Sequence, residues 1–406
     1  MIFSRAGGSS AAAEKCAPCE DERKLLFAAL ALRFAWALAS HKLWGYHEDG
    51  AYDDGVYLSM SRQLLSQGIW PLTHPPGYPL VLAPFLKFGM TGLSVARWIQ
   101  IGISAFIAPL IYRLALHLRQ SRAAALIAGA FVVLHPMMIF FSVRIMSETV
   151  FTALVVTFFL AWERAWRTGR LSAAALAGFF GGAATLTRGV IMPYGGVLAL
   201  VALWRRREQP RWAALVAVCG LCWGGTVAPW TAHNWIAYHR FLPVSLQGGW
   251  NMYEGQTTDH EEALYKRPTA MGEEVRALGM TDPFAIDDYF AVKGEAWIKA
   301  NPQKFLHICA VKAVRFWKLA PEPPHVLASR VSAGLFAVVL FAAALLGLRR
   351  AAAASGMWFL LAWVLYLNLL HSVYVNTLRY RMPAEPVFAL LAGVGAASAL
   401  ALNSLE

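Results

Sequence analysis

The chain has 406 residues, of which 58% are hydrophobic and only 15% are charged. Soluble domains average about 25% charged residues, so this composition excludes an ordinary soluble protein. The formal net charge is +12. The lysines and arginines form small groups between apolar runs rather than one basic face, which argues against a nucleic-acid partner. The sequence therefore predicts an all-α polytopic membrane protein.

Ten apolar runs have the roughly 17–25 residues that a helix needs to cross a bilayer. They are residues 24–41, 93–117, 122–142, 147–165, 171–187, 189–204, 211–229, 330–348, 355–373 and 384–402. Arginines cluster in every second gap between these runs, at 119–122, 164–170, 205–211 and 349–350. Because basic loops stay in the cytoplasm, both termini are expected there. The tail 1–23 is expected to be disordered and cytoplasmic, which leaves 24–406 as one transmembrane domain.

Two outward gaps are too long to be simple connections. Residues 42–92 form a first extracytoplasmic loop, and residues 230–329 are expected to form a small extracytoplasmic cap. Within the cap, basic and apolar residues alternate at helical spacing over 302–319. This pattern predicts a helix that either lies in the plane of the lipid headgroups or packs on the bundle.

The first outward loop carries an acidic cluster over residues 47–54. Asp53 and Asp54 would suit the start of a helix whatever the function, because acids there meet free amides and the helix dipole. A catalytic role is the alternative, since the stiff loop His-Pro-Pro-Gly-Tyr-Pro follows and would place His74 beside them. No firm cofactor is expected, although Glu48, Asp53 and His74 could hold a divalent metal.

Four arginines stand on the outward side, against the positive-inside trend: Arg144, Arg188, Arg379 and Arg381. A phosphate at the membrane interface would explain them, because guanidinium groups bind phosphate oxygens bidentately. The alternative is pairing with Glu148, with Glu385 or with lipid headgroups.

The cap begins with a stretch rich in glycine, asparagine and aromatic residues, which includes Trp250, Asn251 and Tyr253. This composition is typical of a loop that cups a ring-shaped polar ligand, although aromatic residues also collect at membrane interfaces. The predicted substrate pocket comprises His74, Tyr78, Glu148, Trp250, Asn251 and Tyr253.

Together these motifs resemble the bacterial glycosyltransferases related to dolichyl-phosphate-mannose protein mannosyltransferases, a GT-C group that includes the aminoarabinose transferases of lipid A. The motifs that carry the resemblance are Asp53-Asp54, His-Pro-Pro-Gly-Tyr-Pro (74–79), Arg-Ile-Met-Ser-Glu-Thr (144–149), Leu-Thr-Arg (186–188), Pro-Trp (229–230), Gly-Gly-Trp-Asn-Met-Tyr-Glu-Gly (248–255) and Arg-Tyr-Arg-Met-Pro-Ala-Glu-Pro (379–386). They span nearly the whole chain in the same order. The set is specific to the family and not to a substrate.

The resemblance implies a GT-C fold with extracytoplasmic juxtamembrane helices, in a bacterial inner or plasma membrane. It also implies transfer of a sugar from a polyprenyl-phosphate donor to an extracytoplasmic acceptor, with inversion at the anomeric carbon. The family's catalytic acid maps onto Asp53. The family often has Asp-Glu at Asp53-Asp54, so the role of Asp54 stays open. The phosphate-contacting cations map onto Arg188 and the 379–381 segment. The resemblance leaves three classes of acceptor open: a lipid, a glycan or a protein.

Two other functions fit parts of the pattern. A transporter or flippase of a polyprenyl-linked sugar would also need outward cations, together with ionisable groups near mid-bilayer. Arg33 and Arg113 are the main candidates for such groups, and Arg113 can extend to the interface. The second rival is a noncatalytic membrane partner that keeps the same fold.

Overall fold

The computed structural model describes residues 8–43, 54–68, 72–259, 262–321, 327–354 and 356–403. Within these ranges the chain forms seventeen α-helices and no strand, which confirms the predicted all-α fold. The helices are α1 Gly8–Leu43, α2 Asp54–Gln67, α3 Gly77–Leu86, α4 Gly89–His117, α5 Arg122–Leu134, α6 Pro136–Ser142, α7 Ser147–Thr168, α8 Leu171–Thr187, α9 Tyr194–Trp204, α10 Trp212–Tyr238, α11 Gly248–Glu254, α12 Arg267–Ala277, α13 Pro283–Ala300, α14 Pro302–Arg315, α15 Leu327–Ala351, α16 Met357–Val373 and α17 Glu385–Asn403.

Among the described residues, five long helical segments are apolar enough to cross a membrane, and the bent pair α5–α6 would make a sixth. The five are Leu93–His117, Ser147–Thr168, Trp212–Tyr238, Leu327–Ala351 and Leu378–Ala401. Three shorter apolar helical stretches, Leu171–Thr187, Gly189–Trp204 and Met357–Val373, coincide with further predicted spans. The chain is therefore a polytopic membrane protein, and its ten spans stay a prediction.

Helix α1 contains the predicted first span and begins earlier than expected. The boundary at residue 23 falls inside this helix, so residues 8–23 are helical rather than a disordered tail. Alanine-rich sequence favours a helix here. In addition, Asp21 accepts hydrogen bonds from Arg122 at 2.6 and 2.8 Å and from the Tyr112 hydroxyl at 2.8 Å. These bonds hold the turn of α1 that contains Asp21 against α4 and α5.

The predicted span 122–142 is broken. Helices α5 and α6 meet at an angle of 52°, because Pro136 has no N–H with which to continue the ladder. The break frees backbone carbonyls that lipid cannot satisfy. Arg33 of α1 supplies the donors: it bonds the carbonyls of Val132 at 3.2 Å and Val133 at 3.3 Å, and the Ser104 hydroxyl at 2.7 Å. Arg33 is fully buried.

Glycines allow α8 and α10 to pack closely. A Cβ on Gly178 would lie 2.2 Å from the carbonyl oxygen of Cys219, and one on Gly181 would lie 2.5 Å from the ring of Trp223. Small residues at such crossings let membrane helices approach and gain van der Waals contact. This packing fixes the end of α8, which carries Arg188.

The cap follows α10, which extends to Tyr238 rather than ending at residue 229. Its helices are α11 to α14. The predicted helix over 302–319 is confirmed as α14. Ile308 and Phe316 on one side of α14 are buried, while Leu306 is 66% exposed and Val314 is 74% exposed. The burial of Ile308 and Phe316 supports the alternative in which this helix packs on the bundle.

Candidate functional site

The centre of the site is a buried ion pair between two helix ends. Glu148 lies in the first turn of α7, where the helix dipole favours a carboxylate, and it is 1% exposed. Arg188 follows the last residue of α8. Its Nη1 donates to Glu148 Oε1 at 2.8 Å and to the Ser147 hydroxyl at 3.1 Å. The predicted residues Glu148 and Arg188 are therefore brought together.

A second arginine and two rings complete this cluster. Arg379, in the 3₁₀ helix Leu378–Ala384, places its Nε 3.9 Å from Glu148 Oε1. The Tyr380 ring lies 4.9 Å from the Arg379 guanidinium and 5.3 Å from that of Arg188. His371 stacks on Tyr380 with a centroid distance of 4.8 Å. Two cations thus share one carboxylate and one aromatic ring.

These groups line a small cavity. Its walls are Glu148, Phe151, Arg188, Val190, Leu367, His371, Arg379, Tyr380 and Pro383. Among the described residues, Glu148 Oε2 and the Thr152 hydroxyl one turn further along α7 have no hydrogen-bond partner although both atoms are buried. A buried carboxylate oxygen without a donor is costly. A ligand that carries both an anion and a hydrogen-bond donor matches this arrangement.

The first outward loop joins the cluster through α2. The Tyr57 hydroxyl lies 2.9 Å from the Ser147 hydroxyl. The edges of the His74 and Tyr78 rings meet the Tyr57 ring at centroid distances of 5.6 and 4.9 Å. Asp54 opens α2 one turn before Tyr57 and is buried. Asp54, His74 and Tyr78 therefore share a neighbourhood with Ser147.

The Pro-Pro-Gly-Tyr turn of this loop packs against the end of α8. A Cβ on Gly77 would lie 2.7 Å from the carbonyl oxygen of Leu186, so only glycine allows this approach. The Tyr78 hydroxyl donates to Gln100 Oε1 at 2.6 Å. Gln100 in turn donates to the carbonyls of Phe141 and Arg144. The rigid loop is tied to the segment that precedes Glu148, as a supporting shell requires.

Arg144 and Arg381 do not line the cavity in the part of the chain that the structure describes. The Arg144 guanidinium lies 5.0 Å from the Phe140 ring. Arg381 is buried and donates to Glu385 Oε1 at 2.6 Å. Its Nη1 also donates to the carbonyls of Phe316 and Lys318, each at 2.7 Å. Pairing with Glu385 was one of the two alternatives open for Arg381.

The aromatic stretch of the cap forms helix α11 rather than a loop that cups a ligand. Trp250 and Tyr253 pack on Phe290 of α13 at centroid distances of 5.0 and 5.6 Å. Asn251 lies between them and is half-buried. The aromatic rings therefore bury part of their surface against a second cap helix, and all three residues are half-buried. Their place in the substrate pocket stays a prediction.

The predicted acids Glu48 and Asp53 lie outside the described residues. Among those that are described, no three His, Cys, Asp or Glu side chains cluster as metal ligands would. His74, the one described member of the predicted metal set, has Nδ1 3.3 Å from the Thr73 hydroxyl. A divalent metal at this place stays a prediction.

Four contributors were missed from the sequence: Tyr57, Ser147, His371 and Tyr380. Ser147 stands beside Glu148 in the quoted motif, and Tyr380 stands between two predicted arginines, so position alone could have indicated these two. Tyr57 and His371 carry no such signal, because each looks like an ordinary residue of an apolar helix face.

Residues 73–230 match the model of one family, dolichyl-phosphate-mannose-protein mannosyltransferase. The chain is also similar to a solved structure of the archaeal oligosaccharyltransferase AglB from Archaeoglobus fulgidus in complex with an inhibitory peptide and a dolichol-phosphate, with a TM-score of 0.63 and 13% identity. That match covers 97% of this chain and 51% of the other. The chain is similar as well to the apo form of the Archaeoglobus fulgidus oligosaccharyltransferase, with a TM-score of 0.55 and 13% identity. This second match covers 91% of this chain and 50% of the other.

A third similar structure is ArnT from Cupriavidus metallidurans in the apo state, at 16% identity and coverage of 84% of this chain and 72% of that one. Its TM-score of 0.33 is too low to support an argument. The chain spans about half the length of the oligosaccharyltransferase chains. No curated protein sequence matches it.

The described helices and the structural matches define an integral membrane protein with the GT-C fold. The family model that matches residues 73–230 agrees with the resemblance named from the sequence motifs. A fold at this level of identity leaves the substrate open, because one fold serves several chemistries.

Proposed function

We propose that this protein transfers a sugar from a polyprenyl-phosphate donor to an acceptor on the extracytoplasmic side, with inversion at the anomeric carbon and Asp53 as general base. The observation that carries the proposal is the pair of guanidinium groups, Arg188 and Arg379, gathered around Glu148 in one cavity. Like charges this close repel each other, so the cluster is suited to an anionic ligand.

The donor phosphate is the group that Arg188 and Arg379 would bind. In the reaction, charge grows on the phosphate as its bond to the sugar breaks. Donors already aimed at that position stabilise the transition state, which is often the largest contribution to catalysis. Glu148 holds Arg188 by a 2.8 Å bond, so the guanidinium needs little reorganisation when the ligand arrives.

The bond changes follow from these roles. Asp53 takes the proton of the acceptor hydroxyl, and the acceptor oxygen attacks C1 of the sugar. The bond from C1 to the phosphate oxygen breaks, and its electron pair leaves with the lipid phosphate. No general acid is required because that leaving group is a stable anion. Asp53 precedes Asp54 and the buried start of α2 directly in the chain.

The second carboxylate oxygen of Glu148 supports recognition of the sugar. Glu148 lines the cavity, and its buried Oε2 can accept a hydrogen bond from a sugar hydroxyl. A site that holds buried acceptors rejects a ligand that lacks the matching donors by a large factor. Glu148 would thus fix Arg188 with one oxygen and the ligand with the other.

The rival transporter function is less well supported by the surroundings of Arg33. This residue is fully buried, as a transport group would be, and it lies beside a broken helix. Its nitrogen atoms, however, bond Ser104 and the backbone carbonyls at the break. Arg33 thus satisfies the free carbonyls at the end of α5, and the outward cavity is left as the candidate site.

Reconstitution of the full chain in proteoliposomes tests the proposal. Radiolabelled sugars on undecaprenyl phosphate are supplied with lipid, glycan and protein acceptor fractions. Transfer to one fraction is expected, together with its loss in Arg379→Gln and its retention in the inward-end control Arg350→Gln. Movement of intact donor across the bilayer without transfer would favour the transporter. A protein that neither transfers the sugar nor moves the donor, and that binds no donor, would favour the noncatalytic partner. Transfer that persists in a strong chelator would exclude a required metal.

A further inference from the structure

Arg379 and Arg381 are only two residues apart, but their side chains lie in different surroundings. Arg379 lines the cavity and lies near Glu148. Arg381 is 2% exposed and faces the other way, toward α14 and α17. Residues in the 3₁₀ helix Leu378–Ala384 repeat about every three positions, so residues two apart point in different directions.

Arg381 bonds three groups: the carbonyls of Phe316 and Lys318, just after the last residue of α14, and the Glu385 carboxylate. Trp317, between them, packs on Phe388 of α17 at 5.6 Å, so this end of α14 lies against the spanning helices. Glu385 balances the charge of Arg381 at 2.6 Å.

His135, which lies at the break between α5 and α6, completes this buried group. Its Nε2 lies 3.1 Å from Glu385 Oε2, and the side chains of His135, Arg381 and Glu385 are all nearly inaccessible. The group therefore joins four elements: the α5–α6 break, the end of α14, the 3₁₀ helix and the start of α17. Breaking one partner of such a group leaves a buried charge without compensation.

A second connection holds the other end of the same segment. Lys312 of α14 donates to the carbonyls of Tyr374 and Gly255, the former at 2.8 Å. In return, the Asn376 amide donates to the Lys312 carbonyl at 2.7 Å. The chain from Tyr374 to Arg381 is thus fixed to α14 before and after the residues Arg379 and Tyr380 that line the cavity.

We propose that Arg381 is a positioning residue that ties the 3₁₀ helix to α14, so that Arg379 and Tyr380 are held in the cavity. It acts through Arg379 and does not touch the donor phosphate. The expected effect of Arg381 on donor binding rests on the proposed function. Its expected effect on the cap rests on the contacts of α14. The proposal therefore gives different roles to Arg379 and Arg381, which the sequence analysis predicted together as phosphate-contacting residues.

The test compares Arg381→Gln with Arg379→Gln in the purified full chain, with undecaprenyl phosphate as the probe. Both variants are expected to bind the probe about tenfold more weakly. A disulfide between Ala313→Cys and Asn368→Cys, in a Cys309→Ala background, then fastens α14 to α16 by another route, since the Asn368 amide already reaches the Ala313 carbonyl at 3.2 Å. Oxidation should restore binding in Arg381→Gln to within about threefold of the parent and should not restore it in Arg379→Gln.

Hydrogen exchange of the ligand-free protein provides a readout that does not depend on the donor. Amides of residues 312–320 should exchange faster in Arg381→Gln and at the parental rate in Arg379→Gln. Unchanged exchange in Arg381→Gln would overturn the proposal, as would weak binding that the formed disulfide does not rescue. If the parent binds no probe, the proposed function fails and exchange alone decides the positioning role. Should Arg381→Gln fail to accumulate, Glu385→Gln gives the same two readouts.

Discussion

The two ends of the bundle use arginine–carboxylate pairs in different ways. At the end with the arginine-rich loops, Arg122 pairs with Asp21 and Arg113 pairs with Glu22, and these arginine side chains are 58% and 54% exposed. At the other end, the Arg188 and Arg381 side chains are 17% and 3% exposed, and their carboxylate partners are 1% exposed. Asp21 and Glu22 are themselves 4% and 16% exposed, so at the first end only the arginines reach the surface, whereas at the other end both partners are largely buried.

The difference has an energetic meaning. An exposed pair contributes about 0–1 kcal/mol, because water and salt screen it. A buried pair is costly to form, and loss of one partner costs about 3–5 kcal/mol. Arg188 and Arg381 are therefore held in fixed positions by buried carboxylates, whereas Arg113 and Arg122 reach the surface. The four variants below test this contrast, from the largest expected effect to the smallest.

The largest effect is expected for the predicted base. Asp53→Asn should lower sugar transfer by roughly 10²–10⁴-fold, the usual contribution of a positioned general base. Glu22→Gln removes a carboxylate from the inward end and should leave turnover within about twofold. Turnover is measured with a radiolabelled donor in proteoliposomes, with insertion checked by protease accessibility. Near-parental transfer by Asp53→Asn would remove Asp53 from this role.

The second effect concerns the buried pair. Arg188→Gln should destabilise the protein by about 3–5 kcal/mol, because Glu148 is left as an unpaired buried carboxylate. Adding Glu148→Gln should recover most of that stability without recovering donor binding. Lys24→Gln removes an ion pair with Glu20 whose side chains are 69% and 56% exposed, so it should cost about 0–1 kcal/mol. Unfolding in mixed micelles and binding of undecaprenyl phosphate provide the two readouts. Restored binding in the double variant would contradict a direct role for Arg188.

The third effect separates two neighbouring glycines of the cap. A Cβ on Gly249 would lie 2.0 Å from the carbonyl oxygen of Asp287, whereas one on Gly248 would meet nothing within 4 Å. Gly249→Ala should therefore push α11 from α13 at a cost of about 1–3 kcal/mol, the usual range for overpacking. Gly248→Ala is the matched control and should change little. Thermal unfolding in detergent measures both, and equal shifts would show that this helix contact is not tight.

The smallest effect is a pH dependence. Burial lowers the pKa of Lys312 to about 8, from an ordinary value of 10.5. Between these values the unfolded chain binds more protons at this site than the folded chain does, so stability should rise with pH from about 8 to 10.5. The expected slope is about 1.4 kcal/mol per pH unit. Lys312→Met should lose that slope, while Lys24→Met, an exposed lysine, should keep it. Parallel curves of apparent Tm against pH for Lys312→Met and the parent would show that Lys312 titrates normally.

Much of the helical architecture could be predicted from the sequence, because apolar runs of bilayer length leave little choice. The long helices α4, α7, α10, α15 and α17 overlap their predicted spans closely. The bend between α5 and α6 was not predicted, although Pro136 was a signal for it. The bond from Arg122 to Asp21 of α1 joins residues 101 apart, a contact that no local pattern reveals.

The site was predicted in part. Glu148, Arg188 and Arg379 lie together because each stands at the outward end of a helix, which charge position alone can indicate. Arg381 could not be told apart from Arg379, since the direction of a side chain in a short 3₁₀ helix depends on its packing. The packing of Trp250 and Tyr253 on Phe290 could not be predicted, because an aromatic residue that packs on another ring has the same sequence signature as one that stacks on a sugar. Their contact with a ligand stays a prediction.

Arg33 has a consequence for how the chain is made. Helix α1 is synthesised before α4 and α5, but apart from the Ala29 carbonyl the groups that bond the Arg33 guanidinium belong to those two helices, the nearest of them 71 residues later. An arginine at the centre of a lone inserting helix costs about 2.5–3.5 kcal/mol on biological insertion scales. We therefore expect α1 by itself to partition poorly into the bilayer and to settle only after α4 and α5 have been synthesised.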